Sequence, residues 1–466
     1  MLFHTWTFVL FFAIVYPVYL AVRRTRLRVP WLLAASYLFY GWWNPYYLVL
    51  ILYATAADWL VVLAMSRSRR RGAWLAVSVA NNLGLLGFFK YGDFFVTSVN
   101  TALGWAGVAW ALPSPAVLMP AGLPYLLPVG ISFFVFQSMT YTIGYYRGEV
   151  EREPRFLRYA AFVSLFPQLL SGPIERARHL LPQLAEAPRI TGRDLADGAS
   201  LFLAGLFKKV ALADYLALYV DNVYGAPAAH QGPALALATL AFAWQLYFDF
   251  SGYTDMARGV ARAMGIRLML NFNHPYLATG LGDFWNRWHI SLSTWFKDYV
   301  YIPLGGNRRG EVRTYVNMAL TMVLSGLWHG AAWTFVAWGA VHALGRVLTR
   351  RLETTAWYRE RVPTAVKRVG VFLFVTFAWI FFRARSFGDA WLIVGRIARF
   401  AATDPAVPLL AMAMVGAVWL YEALCESRAR GLLEAAPVRV GLAAAMALWV
   451  ALFASSGGQA FIYFQF

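Results

Sequence analysis

The stretch SGLWHGAAW, residues 325–333, places a histidine, His329, at the junction of two apolar segments, 313–328 and 331–348. Consecutive apolar segments of this kind are typical of helices that cross a membrane and return. An ionisable side chain at membrane depth faces an internal cavity or a partner group, because exposure to lipid is unfavourable. The stretch therefore predicts a helical membrane protein with a candidate functional residue at His329.

The composition of the whole chain agrees with a membrane protein. Of its 466 residues, 60% are hydrophobic and 14% are charged, whereas soluble globular proteins carry about 25% charged residues. The net charge is +18, and basic residues cluster between apolar segments, for example at 23–28, 67–71 and 350–368. This pattern is typical of cytoplasmic loops that face anionic lipid, and it argues against a nucleic-acid-binding protein.

The apolar segments predict an all-α polytopic membrane protein with about twelve spans and both termini on the outer face. The first segment, 2–22, is followed by no cleavage site and is predicted to be a retained span. Residues 156–182 are interrupted by prolines and glycine, which favours a re-entrant or interfacial segment. Residues 256–312 mix arginines with aromatic residues and predict amphipathic helices at the cytoplasmic interface or within the bundle. We expect one membrane domain over residues 1–466.

His329 is the strongest candidate for a catalytic residue. Gly326 and Gly330 flank it and are expected to leave room for another group to approach the imidazole. Trp328 and Trp333 are expected to keep the site dry, which would lower the pKa of the imidazole and leave it neutral and able to take a proton. The alternative is a buried histidine that bonds a backbone carbonyl between helices, and position alone leaves both interpretations open.

A second candidate region is DFWNRWHISLSTWFKDYVYIPLGG, residues 283–306. On a helix, Asp283 and Arg287 lie four residues apart and can pair. Asn286 and His289 lie three apart and are expected to point into one polar pocket. The region predicts either an interfacial aromatic helix or the floor of a site for an anionic ligand from the cytoplasm, with arginines that suit phosphate. The predicted substrate-binding residues are Asp283, Asn286, Arg287, Trp288, Arg308 and Trp328.

Two carboxylates, Asp249 and Asp255, flank Ser251 and Gly252 in YFDFSGYTDMARG (247–259). We expect the helix to break there and the carboxylates to pair with nearby arginines. The sequence has no zinc-ligand spacing and no phosphate-binding glycine loop, so we expect neither a bound metal nor a bound cofactor.

Four stretches of the sequence carry a resemblance to a known family. They are FDFSGYTDMARGVARAMGI (248–266), NFNHPYLATGLGDFWNRWHISLSTWFKDYVYIPLGGNR (271–308), SGLWHGAAWTFVAWGAVHA (325–343) and FIYFQF (461–466). Together they resemble the membrane-bound O-acyltransferase (MBOAT) family, in particular its bacterial branch of alginate O-acetylation and teichoic acid D-alanyl transfer proteins. The likeness covers most of residues 120–385 and the C-terminus. The resemblance implies a ring-like helical bundle around a central tunnel in the bacterial inner membrane.

The resemblance also implies roles for individual residues. His329 would be the catalytic histidine, and His289 matches the second important polar position of the family. The acyl donor would be cytoplasmic, either acetyl-CoA or an aminoacyl carrier protein, and a separate periplasmic protein would complete the transfer. Tyr463, in the aromatic tail 457–466, would accept the acyl group and pass it on, unless the tail only packs at the membrane interface.

Of the two acyl groups, the sequence favours acetyl, because no acidic residue is evident that would recognise the amino group of D-alanine. The alternative from another class is a transporter or flippase, which shares many spans and a basic inner surface. Such a protein is expected to show broken helices in two related halves, which inspection of the sequence does not find. A scaffold subunit without catalysis is the third possibility.

Overall fold

The computed structural model describes residues 1–119, 125–170, 172–399 and 408–453. Within these residues every regular element is helical, so the all-α prediction is confirmed. The helices of at least seven residues are α1 (Trp6–Val22), α2 (Arg28–Gly41), α3 (Tyr47–Arg67), α4 (Arg71–Phe89), α5 (Gly92–Trp105), α6 (Ile131–Arg147), α7 (Phe156–Ser164), α8 (Ala177–Ala185), α9 (Gly192–Phe207), α10 (Asp214–Gly225), α11 (Gly232–Ala263), α12 (Leu281–Arg287), α13 (Ile290–Phe296), α14 (Glu311–His329), α15 (Trp333–Leu352), α16 (Thr364–Arg383), α17 (Phe387–Arg399), α18 (Leu409–Cys425) and α19 (Ala436–Phe453).

Several of these helices suit a membrane. Five of the described helices are long and apolar enough to cross one, namely α3, α4, α11, α16 and α19. Two shorter helices, α1 and α18, are also apolar. The predicted membrane class is therefore supported, while the count of about twelve spans stays a prediction.

The chain divides into two compact units. The first unit contains residues 1–199 and 257–269, and the second contains residues 200–256 and 270–466. Each unit is thus built from two stretches of chain. All residues from His289 to His342 lie in the second unit.

The interruptions predicted in residues 156–182 are present in the first unit. Helix α7 ends at Ser164, a single turn follows at Phe166–Leu169, and α8 begins only at Ala177. Leu165 and Pro167 account for the first break, because the backbone of Leu165 is not helical (φ −53°, ψ 115°) and proline suits only the first turn of the next helix. The prediction of an interrupted segment is therefore confirmed.

Helix α11 does not break at Ser251 and Gly252, so that prediction is wrong. Within the second unit, a Cβ atom on Gly252 would lie 2.7 Å from the carbonyl oxygen of Gly205 in α9. The glycine is tolerated inside the helix because it lets two helix backbones approach closely, as small residues do in membrane proteins.

The carboxylates of this helix pair with two lysines, partners that the sequence analysis did not name. Asp249 lies 2.6 Å from the ammonium nitrogen of Lys209, and Asp255 lies 2.8 Å from that of Lys208. Both lysines belong to a π-helical segment, Lys208–Ala213, that joins α9 to α10. Lys209 also lies 2.9 Å from Asp214, so one lysine holds two carboxylates.

Candidate active site

His329 is the last residue of α14 and has only 3% of its surface exposed. The next residue, Gly330, has an extended backbone that ends the helix, and α15 begins three residues later. The junction predicted from the two apolar segments is therefore a tight connection between two helices. It places the imidazole inside the second unit.

The glycines beside His329 do not leave open space for a ligand, so that prediction is wrong. A Cβ atom on Gly326 would collide with the carbonyl oxygen of Phe335, and one on Gly330 would collide with the ring of Phe335. On α15, a Cβ atom on Gly339 would lie 2.5 Å from the carbonyl oxygen of Met322. These glycines allow α14 and α15 to pack closely, and this packing fixes the position of His329.

Aromatic rings surround the imidazole of His329. The ring centroids of Trp328, Trp338 and Phe382 lie 5.1, 5.2 and 5.2 Å from that of His329, each in an edge-on arrangement. Trp328 is buried as predicted, but Trp333 is 55% exposed and does not keep the site dry. Trp338, one turn further along α15 and fully buried, takes the place that the sequence analysis gave to Trp333.

His289 is held at a break between two short helices. Helix α12 ends at Arg287 and α13 begins at Ile290. His289 itself has a left-handed backbone with φ of 43°, a conformation that is uncommon for residues other than glycine and often marks a functional site. Because the helix does not continue, Asn286 is exposed while His289 is buried, and the predicted shared pocket of these two residues is wrong.

Asn271 positions His289, a role that the sequence analysis missed. The Asn271 side-chain oxygen lies 3.1 Å from Nδ1 of His289 and accepts hydrogen bonds from the backbone N–H and hydroxyl of Ser291. If Nδ1 donates to this oxygen, as the network indicates, the lone pair of the ring is on Nε2. Burial lowers the pKa of His289 to about 3, so the ring is neutral at pH 7.

The two candidate histidines lie close together. The ring centroids of His289 and His329 are 6.5 Å apart, and the Trp328 ring packs against both at 5.9 and 5.1 Å. A reacting hydroxyl and carbonyl need a proton acceptor and a polar group that orients them within hydrogen-bond reach. Two neighbouring imidazoles in a dry aromatic environment can supply both functions.

A third histidine, His342, extends this group and was not singled out in the sequence analysis. It is fully buried on α15, one turn after Trp338, and its ring lies 4.8 Å from Trp338 and 5.0 Å from Trp285. Among the described residues, neither ring nitrogen of His342 has a hydrogen-bond partner. The spacing of four residues between Trp338 and His342 was the signal that could have placed both side chains on one buried face.

The predicted ligand-binding residues do not all lie at one place. Arg287 pairs with Asp283 at 2.8 Å, which confirms the predicted ion pair, and it also bonds Glu426, which sequence spacing could not reveal. Trp288 is buried and packs on Trp379 at 5.2 Å. Arg308 is exposed in the loop before α14. Tyr463 and the tail 457–466 lie outside the described residues.

Known proteins of similar sequence were compared with this chain. The sequence profile of the MBOAT, membrane-bound O-acyltransferase family, matches residues 134–387. A protein of Pseudomonas aeruginosa named probable alginate O-acetylase is 41% identical over 370 residues, which are 78% of this chain and 69% of that protein. The peptidoglycan O-acetyltransferase of Helicobacter pylori is 35% identical over 390 residues, 77% and 72% of the two chains. The teichoic acid D-alanyltransferase of Streptococcus thermophilus is 31% identical over 249 residues, 50% and 58% of the two chains.

The apolar helices and the buried histidine pair define a membrane protein with a polar site enclosed among helices. The profile match covers more than half of the chain and contains both histidines. The chain belongs to the membrane-bound O-acyltransferase family and is an O-acyltransferase. The resemblance seen in the sequence is confirmed, and the transporter and scaffold alternatives are set aside.

Proposed function

We propose that this enzyme moves an acetyl group from cytoplasmic acetyl-CoA across the bacterial inner membrane to a hydroxyl of an extracytoplasmic polysaccharide or of a periplasmic partner protein. We also propose that about twelve spans form a ring-like bundle around a central tunnel. Such a tunnel would let the donor and the acceptor meet at membrane depth. The observation that carries it is the pair of buried imidazoles, His289 and His329, in an O-acyltransferase. The names of the alginate and peptidoglycan relatives support acetyl as the group and a carbohydrate hydroxyl as the acceptor.

In the proposed reaction, His329 takes the proton of the acceptor hydroxyl while the oxygen attacks the thioester carbonyl. The carbon–sulfur bond then breaks, and the departing CoA thiolate takes up the proton from the imidazolium. General base catalysis of this kind contributes about 10²–10⁴-fold, and the remainder comes from holding the two substrates in register. His289, oriented by Asn271, is proposed to hold the donor or acceptor through its Nε2 edge.

The test uses purified protein in proteoliposomes with radiolabelled acetyl-CoA or a D-alanyl carrier protein as donor. We expect CoA release and labelled acetyl on an added hydroxyl-bearing polysaccharide or on a co-purified partner. Transfer from the D-alanyl carrier alone would replace the acetyl proposal with D-alanyl transfer, as in the teichoic acid relative. If protein that elutes as a folded species turns over neither donor, both the acetyl and the D-alanyl proposals are contradicted.

The same reactions without acceptor address Tyr463. We propose that its hydroxyl receives the acetyl group and passes it to the final acceptor. Mass spectrometry of the C-terminal peptide should then show one acetyl group, which is absent in Tyr463→Phe. An unmodified tail during measurable CoA release would leave direct entry of the acceptor as the route.

A prediction concerns donor binding by the two arginines. Arg287 is already bound to Asp283 and Glu426, whereas Arg308 lies exposed in a loop. We therefore expect Arg308→Ala to raise the KM for acetyl-CoA about fivefold, as for the loss of ~1 kcal/mol of phosphate binding, with little change in kcat. Arg287→Ala should raise KM less. Initial rates over a range of acetyl-CoA concentrations check this, and the reverse order of effects would place the phosphates at α12.

A further inference from the structure

A buried polar cluster lies within the first unit and has no part in the proposed transfer. Its centre is Asp58, in the middle of the apolar helix α3, with none of its surface exposed. The neighbouring polar side chains come from α4, α6 and α7 and are equally buried. We call these residues the Asp58 cluster: Asp58, Ser78, Asn82, Ser138, Thr142 and Tyr159.

The Asp58 carboxylate is surrounded by neutral groups. Ser78 donates from its hydroxyl at 2.6 Å to one carboxylate oxygen, and Ser138 donates to the other. The Asn82 amide nitrogen lies 3.0 and 2.8 Å from the two oxygens. Further hydroxyls follow, with Thr142 3.0 Å from Ser78 and Tyr159 2.7 Å from Ser138. The cluster therefore joins four helices through one carboxylate.

The charge of this carboxylate has no basic partner. Among the described residues, Asp58 forms no ion pair with a lysine, arginine or histidine, whereas the buried Asp249 contacts Lys209. An isolated carboxylate in an apolar interior is costly and is normally neutralised. An ionisable residue in a membrane-spanning helix is also a functional candidate by default. Either a proton or a bound cation must supply the missing positive charge.

The number of oxygen atoms favours a cation over a proton. A proton needs one acceptor, but the cluster presents two carboxylate oxygens and the hydroxyls of Ser78, Ser138 and Thr142. In addition, the side-chain oxygen of Asn82 is buried and has no hydrogen-bond partner among the described residues. Rotation of this amide exchanges its nitrogen and oxygen, and rotation of the hydroxyls turns their lone pairs inward, so all can become ligands.

We infer that the Asp58 cluster binds a monovalent metal cation of the size of sodium. Hard cations take oxygen ligands from carboxylate, amide and hydroxyl groups. A single carboxylate balances a single positive charge, which argues against a divalent ion. The hydrogen-bonded oxygens lie 2.6–3.0 Å apart and would have to separate to about 3.4 Å around an ion held at about 2.4 Å, and further around a larger ion, so an ion of the size of sodium requires less rearrangement than potassium. The bound ion neutralises Asp58 and links α3, α4 and α6, so it stabilises the fold independently of acyl transfer.

The test is the thermal stability of the purified full-length protein in detergent at constant ionic strength. Replacing choline chloride stepwise with sodium chloride should raise the apparent Tm by several degrees and then saturate, as expected for a ligand that binds only the folded state. Potassium should act more weakly. Asp58→Asn, which is neutral and nearly isosteric, should lose the sodium response, whereas Asp93→Asn, at an exposed carboxylate of the same unit, should keep it.

A second variant keeps the test decisive if Asp58→Asn does not fold. Ser138→Ala removes one oxygen and should shift the midpoint of the sodium response to higher concentration. An equal Tm in sodium and choline for the unmodified protein would overturn the inference. A Tm that depends on pH and not on sodium would also overturn it and assign the site to a proton.

Discussion

Replacement of His329 with alanine or glutamine is expected to lower the rate of acyl transfer by about 10²–10⁴-fold, the contribution of a general base. The imidazole is buried among Trp328, Trp338 and Phe382, so no bulk water can take over the proton. Glutamine keeps much of the volume and polarity of histidine, but its side-chain amide cannot accept a proton near neutral pH. The measurement is kcat with acetyl-CoA for variants that elute as folded protein.

Two other histidines provide the comparison for this prediction. His289→Ala should reduce transfer less than His329→Ala if His289 only orients a substrate. An equal loss would mean that the assignment of His329 as the base and His289 as the orienting group is wrong. His230→Gln, at a partly exposed position after α10, should leave the rate unchanged. Full activity of a folded His329→Ala protein would eliminate the general-base role and require another proton acceptor, such as His289.

Much of the fold follows from hydrophobic patterning. The segments predicted at 313–328 and 331–348 correspond to α14 and α15. The length and spacing of apolar runs are local properties of the sequence, so such segments can be recognised from the sequence alone. Helix α17 was missed because its apolar face alternates with charges. The continuity of α11 at Gly252 was missed because glycine can mark either a break or a close helix contact.

The site was only partly predictable for a related reason. His329 is recognisable because a titratable group in an apolar segment is itself unusual. The left-handed backbone of His289 and its bond to Asn271 depend on how two separate loops meet, and no spacing reveals that. The same holds for Phe335, whose packing explains Gly326 and Gly330.

Lys209 is another buried ionisable residue, and its role could have been suspected from sequence. It directly precedes the apolar residues 210–213 in the sequence and is 1% exposed. The rule that drew attention to His329 applies equally to a lysine at membrane depth. Its two partners, Asp214 and Asp249, are also buried, so the charge of Lys209 stabilises two carboxylates inside the second unit.

Replacement of Lys209 with methionine is therefore expected to destabilise the protein by about 3–5 kcal/mol, the usual cost of removing one partner from a buried ion pair. Methionine fills the same volume, so the loss reports the charge and not a cavity. The neighbouring Lys208 is the matched control. It pairs with Asp255 at the same kind of distance, but both side chains keep about a fifth of their surface exposed.

Lys208→Met should accordingly cost about 1 kcal/mol or less, because solvent screens that pair. Apparent Tm values of both variants, measured side by side in one detergent, compare the two effects. The double variant Lys209→Met with Asp249→Asn should recover part of the loss, since it also removes one of the two buried carboxylates that Lys209 contacts. Equal effects of the two lysine substitutions, or no recovery in the double variant, would mean that Lys209 contributes through packing and that its charge is not required to neutralise Asp214 and Asp249.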